Sequence, residues 1–149
     1  DPMTMPFVTI DASVAVRWIL DDEPNRAGAL VLRSSLETGR VMAVEPSHFL
    51  LEVAGAVDRA VRDGRIDLEQ ARKALFALEA VTFDDTPPMA LAADAFDVAA
   101  STGLRVPDAA YAVCAARNHA LLITADRRQL EAAELLGVPV AALADLPPL

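Results

Sequence analysis

The sequence predicts an α/β domain, with a parallel five-stranded sheet covered by helices on both faces. Three observations predict it. Short apolar segments alternate with longer segments of helical character. Those short segments are apolar nearly throughout, as strands buried on both faces must be. Proline or glycine punctuates most of the junctions between them. The 149 residues are enough for one domain with a full core.

Taken in order, "FVTI" (7–10) is a strand, and Ser13 to Leu20 make a short helix. "DDEP" (21–24) is a solvated turn before a helix from about Asn25 to Glu37. "TGR" turns into the strand "VMAV" (41–44). Pro46 suits the first turn of the next helix, which runs through "HFLLEVAGAVDRAVRDG" and ends at Gly64. "DLEQ" (67–70) has capping-box spacing and opens a helix to about Leu78. "AVTF" (80–83) is the third predicted strand. Pro88 starts a helix that ends near Gly103, and Pro107 starts "PDAAYAVCAARNH". "ALLITA" (120–125), apolar and β-branched late, is the fourth strand. A helix follows from about Arg127 to Leu136, Gly137 stops it, and "VPVAAL" (138–143) is the last strand. No repeat or linker interrupts this alternation. One domain is expected over 3–149, with Asp1 and Pro2 a remnant ahead of Met3.

Composition narrows the function. The net charge of −9 does not suit a binder held to nucleic acid by charge alone. Excess acid can instead be gathered at a cation site. Cys114, the single cysteine, allows no internal disulfide and fits a reducing cytosol. Among small apolar residues it reads as core filler. No cysteine or histidine spacing suits zinc. No run is long and apolar enough for a bilayer, and "DPMTMPF" has no signal-peptide pattern, so a cytoplasmic protein without a membrane partner is expected.

Four acids border or interrupt apolar sequence. Asp11 and Asp126 each follow a strand, and so fall at the carboxyl edge of the sheet, where open α/β folds bind ligands. Glu52 shares a helix face with Phe49 and Ala56. Asp108 stands after Pro107 at a helix start, where the dipole favours a carboxylate. Taken alone, Asp11 and Asp126 read equally as helix caps, and Asp108 reads more readily as a cap than as a ligand. If the four converge, mutual repulsion raises some of their pKa values, and a divalent cation relieves it. Oxygen ligands without His or Cys point to magnesium or manganese.

The segments "TIDASVAVRW", "EPSHFLLEVAGAV", "VPDAAYAVCAA" and "LLITADRRQL" resemble, in that order, the motifs of PIN-domain ribonucleases, especially toxins of the VapC type. The resemblance implies a PIN-like three-layer α/β/α sandwich. It implies a magnesium- or manganese-dependent endoribonuclease that cuts RNA with a metal-activated water, and a cognate antitoxin that silences it. A homodimer, the usual closed assembly, is expected as well. By position, Asp11, Glu52, Asp108 and Asp126 match the family's catalytic, metal-holding acids. Ser13 and Thr124 match the small hydroxyl residues beside the first and last acid.

Ser13 reads either as a cap or as a group orienting a carboxylate, and Thr124 either as a strand residue or as a partner of Asp11 or Asp126. Arg17, Arg127 and Arg128 are candidates for phosphate contact, or else surface charges. His48 reads as a rim residue. Trp18 reads as core, and Tyr111 could stack on a base. Two other functions are consistent with parts of this pattern. A catalytically silent PIN-like domain would only bind RNA or protein. A phospho-acceptor receiver module also gathers acids at strand ends, but needs a lysine after a late strand, and the one lysine, Lys73, lies in a mid-chain helix.

Overall fold

A computed structural model describes residues 7–146. The expected domain start at residue 3 and the expected remnant at Asp1 and Pro2 lie outside the described residues. The elements are β1 (Phe7–Ile10), α1 (Ala12–Ile19), α2 (Arg26–Glu37), β2 (Met42–Pro46), α3 (Phe49–Arg62), α4 (Leu68–Ala77), β3 (Phe83–Thr86), α5 (Ala92–Thr102), α6 (Val106–Arg117), β4 (Leu121–Thr124), α7 (Arg128–Leu136) and β5 (Val140–Ala142). Short 3-10 turns occupy Leu78–Ala80, Pro88–Ala90 and Leu143–Asp145. All strand pairs are parallel, in the order β3-β2-β1-β4-β5. In the central strand, Val8 pairs with Ala43 on one side and Leu121 on the other.

This order explains the three layers. The chain steps from β1 to β2 to β3 in one direction, then crosses back to β4 beyond β1 and continues outward to β5. Right-handed crossovers put the helices of opposite steps on opposite faces. Accordingly α1 packs with α2, α3 and α4, while α6 packs with α5 and α7. Helix α6 also lies against β1, β2 and β4. It is buried from Ala109 through Ala115, and its alanines let it approach the sheet closely. On the other face, the buried Trp18 donates from Nε1 to the Ala29 carbonyl over 2.7 Å, tying α1 to α2. Cys114 is buried, as expected of core filler.

Two expected positions are corrected. The third strand is Phe83–Thr86, not 80–83. Val81 is a buried core residue beyond a 3-10 turn, and its apolarity misplaced the strand. The true strand is an edge strand exposing Asp84 and Asp85, charges that blunt an edge but hide it from an apolar count. Pro46 does not start α3; it ends β2, paired in register with Thr86. Ser47 N–H then bonds Thr86 O over 3.1 Å, and the helix begins at Phe49. The strand order also differs from the 2-1-3-4-5 arrangement of receiver modules, which removes that alternative. Among the described residues, no helix is long and apolar enough to cross a membrane.

At "DLEQ" the N-cap half of the expected capping box forms, without a return bond from Gln70 among the described residues. Asp67 accepts from the N–H groups of Glu69 (2.8 Å) and Gln70 (3.3 Å). Asp67→Ala should therefore cost about 1 kcal/mol. Urea denaturation should show this as a lower midpoint at unchanged slope; an unchanged midpoint would show that the cap contributes nothing.

Candidate active site

The topology opens a crevice where the chain changes direction, between the carboxyl ends of β1 and β4. Asp11 follows β1 and caps α1. Its Oδ1 accepts from Ser13 N over 3.0 Å and from the Ser13 hydroxyl. Its Oδ2 accepts from the Thr124 hydroxyl at the end of β4. Ser13 Oγ in turn accepts from Ala125 N (3.2 Å), and Thr124 Oγ1 from Asp126 N (2.9 Å). The two hydroxyls thus tie the end of β1 to the end of β4. Cap and site residue are one and the same at Asp11.

Burial dominates the charge at Asp11. The side chain is withdrawn from water, which pushes its pKa up to about 6 despite the bonds from Ser13 and Thr124; Asp126 adds repulsion. Asp108 is also raised, first by burial and then by Glu52. Its carboxylate accepts no hydrogen bond among the described residues, so it caps nothing. The other two acids go the opposite way. Burial of Glu52 is outweighed by His48 and Tyr111, which hold its carboxyl below the usual range. Tyr111 donates to Glu52 Oε1 over 2.5 Å, and His48 Nε2 lies 3.3 Å from the same oxygen. Burial of Asp126 is outweighed by Arg128, whose guanidinium sits 2.9 Å away. The expected repulsion therefore falls on Asp11 and Asp108, not on all four.

All four carboxylates line one cavity of about 290 Å³, together with Ser13, Arg17, Arg59 and Tyr111. Thr124 lies behind it, reaching the site through Asp11. Arg17 is in the wall, but its guanidinium is engaged with Ser13 O (2.7 Å), Pro24 O (2.8 Å) and Glu23 (3.6 Å). Arg128 is engaged with Asp126, and Arg127 is exposed beside a neighbouring cavity that also touches Asp126. Tyr111 is buried and cannot stack on a base; it positions Glu52.

Tyr111 and His48, read from the sequence as a base-stacking and a rim residue, instead support Glu52. Three further residues, Gln129, Arg59 and Glu45, belong to this region and were not marked as site residues by the sequence. Arg59 lines the wall. Gln129 Nε2 donates to the Asp108 carbonyl over 2.8 Å. Glu45 is fully buried under the site. Its Oε1 accepts from Ile10 N over 2.8 Å, and its Oε2 has no partner among the described residues. Burial pushes its carboxyl well above the usual range, which favours the neutral form. It interrupts "VMAVEP" as Glu52 interrupts "FLLEVAGAV", and the same criterion would have found it.

A divalent cation fits the donor chemistry here: oxygen ligands only, on four walls of one cavity. The present side-chain positions do not preset it. Among the described residues, no three Asp, Glu, His or Cys side chains are grouped as a metal site. Three of the four carboxylates are held by protein donors instead.

The PIN domain family matches residues 8–135. The chain belongs to the PIN domain family. Its fold is similar to that of PAE2754 from Pyrobaculum aerophilum, with 20% identity, a TM-score of 0.67, and 97% of this chain and 93% of that chain covered. It is similar to VapBC2 from Rickettsia felis, solved with a DNA fragment from their promoter, with 16% identity, a TM-score of 0.63, and 91% and 98% covered. FitAcB from Neisseria gonorrhoeae has 16% identity and a TM-score of 0.61, with 93% and 99% covered. No curated protein matches the sequence.

The raised pKa at Asp11 has a consequence for stability. Below the unfolded value of 3.8 the group is protonated in both states and has no effect. Above about 6 it is charged in both, and the folded state carries the cost of ionising it, roughly 3 kcal/mol. Stability from this group thus falls as pH rises between those values. In metal-free buffer, Asp11→Asn should melt above the parent at pH 7.5, and the gap should close as pH drops to 4. A gap independent of pH would refute the burial argument.

Proposed function

We propose that this PIN domain is a metal-dependent endoribonuclease, acting as the toxin of a type II toxin–antitoxin pair of the VapC type. The observation that carries the reading is the convergence of Asp11, Glu52, Asp108 and Asp126 on one cavity at the switch point of the sheet. PIN domains are generally nucleases. The similar folds of VapBC2 and FitAcB are those of toxins with antitoxins, which supports an antitoxin partner here.

In this reading the four acids would hold magnesium or manganese. Bound there, the ion would activate water and offset charge on the RNA phosphodiester. Ser13 and Thr124 fix the Asp11 carboxylate from behind. Tyr111 and His48 aim Glu52, and Gln129 steadies the Asp108 backbone. Arg127 and Arg128 supply phosphate contacts at the mouth, with Arg128 leaving Asp126 when a cation takes its place. Arg17 contacts phosphate only if it gives up its turn; its present bonds assign it to holding the α1–α2 connection. An antitoxin arginine or lysine reaching the carboxylates would silence the site by charge pairing. A homodimer fits the exposed apolar side chains Leu51, Met89 and Phe96. The site, the sheet and both helical layers act together as one cytoplasmic domain.

The engagement of three acids by protein donors favours a second reading, a catalytically silent PIN-like domain that binds RNA or protein. Cleavage decides between the two. Purified protein should cut single-stranded RNA only with magnesium or manganese, and Asp11→Asn or Asp108→Asn should abolish cutting while circular dichroism stays unchanged. A folded variant that cuts at the parent rate removes that residue from the site. Where a small gene encoding a DNA-binding protein lies adjacent, co-expression with it should yield an inactive complex.

Metal binding gives an independent test. A cation at a hundred times its dissociation constant stabilises the folded state by roughly 2.7 kcal/mol. Millimolar magnesium or manganese should raise the melting temperature, and sodium at matched ionic strength should not. Glu52→Gln should shrink that rise. Without metal this variant should melt below the parent at pH 7, because Tyr111 and His48 bond the charged form. An undiminished metal-induced rise would remove Glu52 from the ligand set.

A further inference from the structure

We infer that Arg59 is a substrate-binding residue, holding the phosphate next to the scissile one in a bound RNA strand. The inference rests on the nuclease reading and adds a contact to it. Glu52, Ala56 and Arg59 fall at helical spacing on one face of α3, and all three line the acidic cavity. Two arginines are in that wall. Arg17 is engaged by two carbonyls and a carboxylate. The Arg59 guanidinium makes no hydrogen bond or ion pair among the described residues, so its donors are open to an anion.

The direction of the side chain supports this. Helical side chains lean toward the N-terminus of their helix. Arg59 leans back over Gly55: a Cβ built there would lie 3.9 Å from Arg59 Nη1. The bare glycine leaves the guanidinium room to lie along the helix toward Glu52. Its Cα is two turns, roughly 10 Å, beyond that of Glu52, so the fork falls short of the acids and takes a neighbouring phosphate. A guanidinium also suits phosphate by its planar pair of donors. In a protein of net charge −9, an open cation in the wall of a cavity lined by four carboxylates has a clear use. It draws the backbone of the strand across a cavity that otherwise repels it.

The test uses the full chain with a fluorescent single-stranded RNA of mixed sequence and magnesium. Binding is followed by anisotropy in the Asp11→Asn background, which keeps the RNA intact, across a series of salt concentrations. Arg59→Ala should weaken binding roughly tenfold. It should also reduce the slope of log affinity against log salt by about 0.7, the loss of one single-strand phosphate contact. Arg59→Lys should restore the slope while recovering only part of the affinity. Gly55→Leu, which fills the space over which Arg59 lies, should reproduce the slope loss with Arg59 intact. In the active parent background, Arg59→Ala should raise KM and leave kcat in place. An unchanged slope and affinity overturns the inference, as does a fall in kcat at constant KM. A parent that cuts RNA equally well with and without Arg59 overturns this contact alone. A parent that neither binds nor cuts RNA overturns the nuclease reading with it.

Discussion

The carboxylate of Asp11, withdrawn from water at the end of the central strand, is the constraint around which the site is arranged. A buried charge requires donors, and the chain supplies them from two strand ends: Ser13 after β1 and Thr124 closing β4. These same donors receive N–H groups from Ala125 and Asp126. One small network therefore starts helix α1, closes the gap between β1 and β4, and fixes the backbone that carries Asp126. Separate structural and functional roles for these residues have no physical basis here, because a cap bond to Oδ1 and the orientation of that carboxylate are a single interaction.

Across the cavity a second small network does the corresponding work for the helices. His48 Nε2 donates to the Pro107 carbonyl over 2.9 Å and lies beside Glu52. It thereby links the start of α3 to the start of α6, the helices that carry Glu52 and Asp108. Its ring packs edge-on against Tyr111, whose hydroxyl reaches Glu52 from below. Burial alone would raise all four acids. The partners divide them: Glu52 and Asp126 are held charged by His48, Tyr111 and Arg128, while Asp11 and Asp108 are left costly to ionise. The strain of an acidic cleft is thus concentrated on two residues, and a cation that draws on them gains most there.

The layout of the fold was legible because burial on both faces leaves a strong mark. The segments 7–10 and 120–125 are apolar nearly throughout, and no other element is consistent with their length and flanks. The acids stood out for the same reason, as charges bordering apolar sequence. What was hidden follows from weaker marks. The edge strand β3 has one neighbour and two exposed aspartates, so its pattern resembles a loop. Pro46 fits a helix start as well as a strand end; the partner that decides, Thr86, is forty residues away in the chain. Arg59 looked like any surface arginine on α3, since its value lies in what Arg17 and Arg128 are already bound to, which only the folded chain reveals. The apportioning of charge among the acids was equally unreadable, because it depends on Tyr111, a residue 59 positions from the carboxylate it serves.

Glu45 shows how the sheet is kept open beneath the site. The register of β1 with β2 pairs Phe7 and Val8, after which side chains take over from the ladder. Thr9 Oγ1 donates to Val44 O over 2.7 Å, and Glu45 Oε1 accepts the N–H of Ile10. Ile10 immediately precedes Asp11, so a carboxyl group determines where the backbone leaves the strand. A second buried charge this close to Asp11 would raise the cost of both, and the neutral form of Glu45 avoids it. In that form Glu45 still accepts from Ile10 through one oxygen. Its other oxygen has no partner among the described residues, a cost of about 1–3 kcal/mol for a neutral polar group and much less than for a charge. The chain therefore tolerates an unsatisfied acid in its core where that acid replaces a missing rung of the sheet, and it reserves ionised carboxylates for the cavity, where solvent or a cation can reach them.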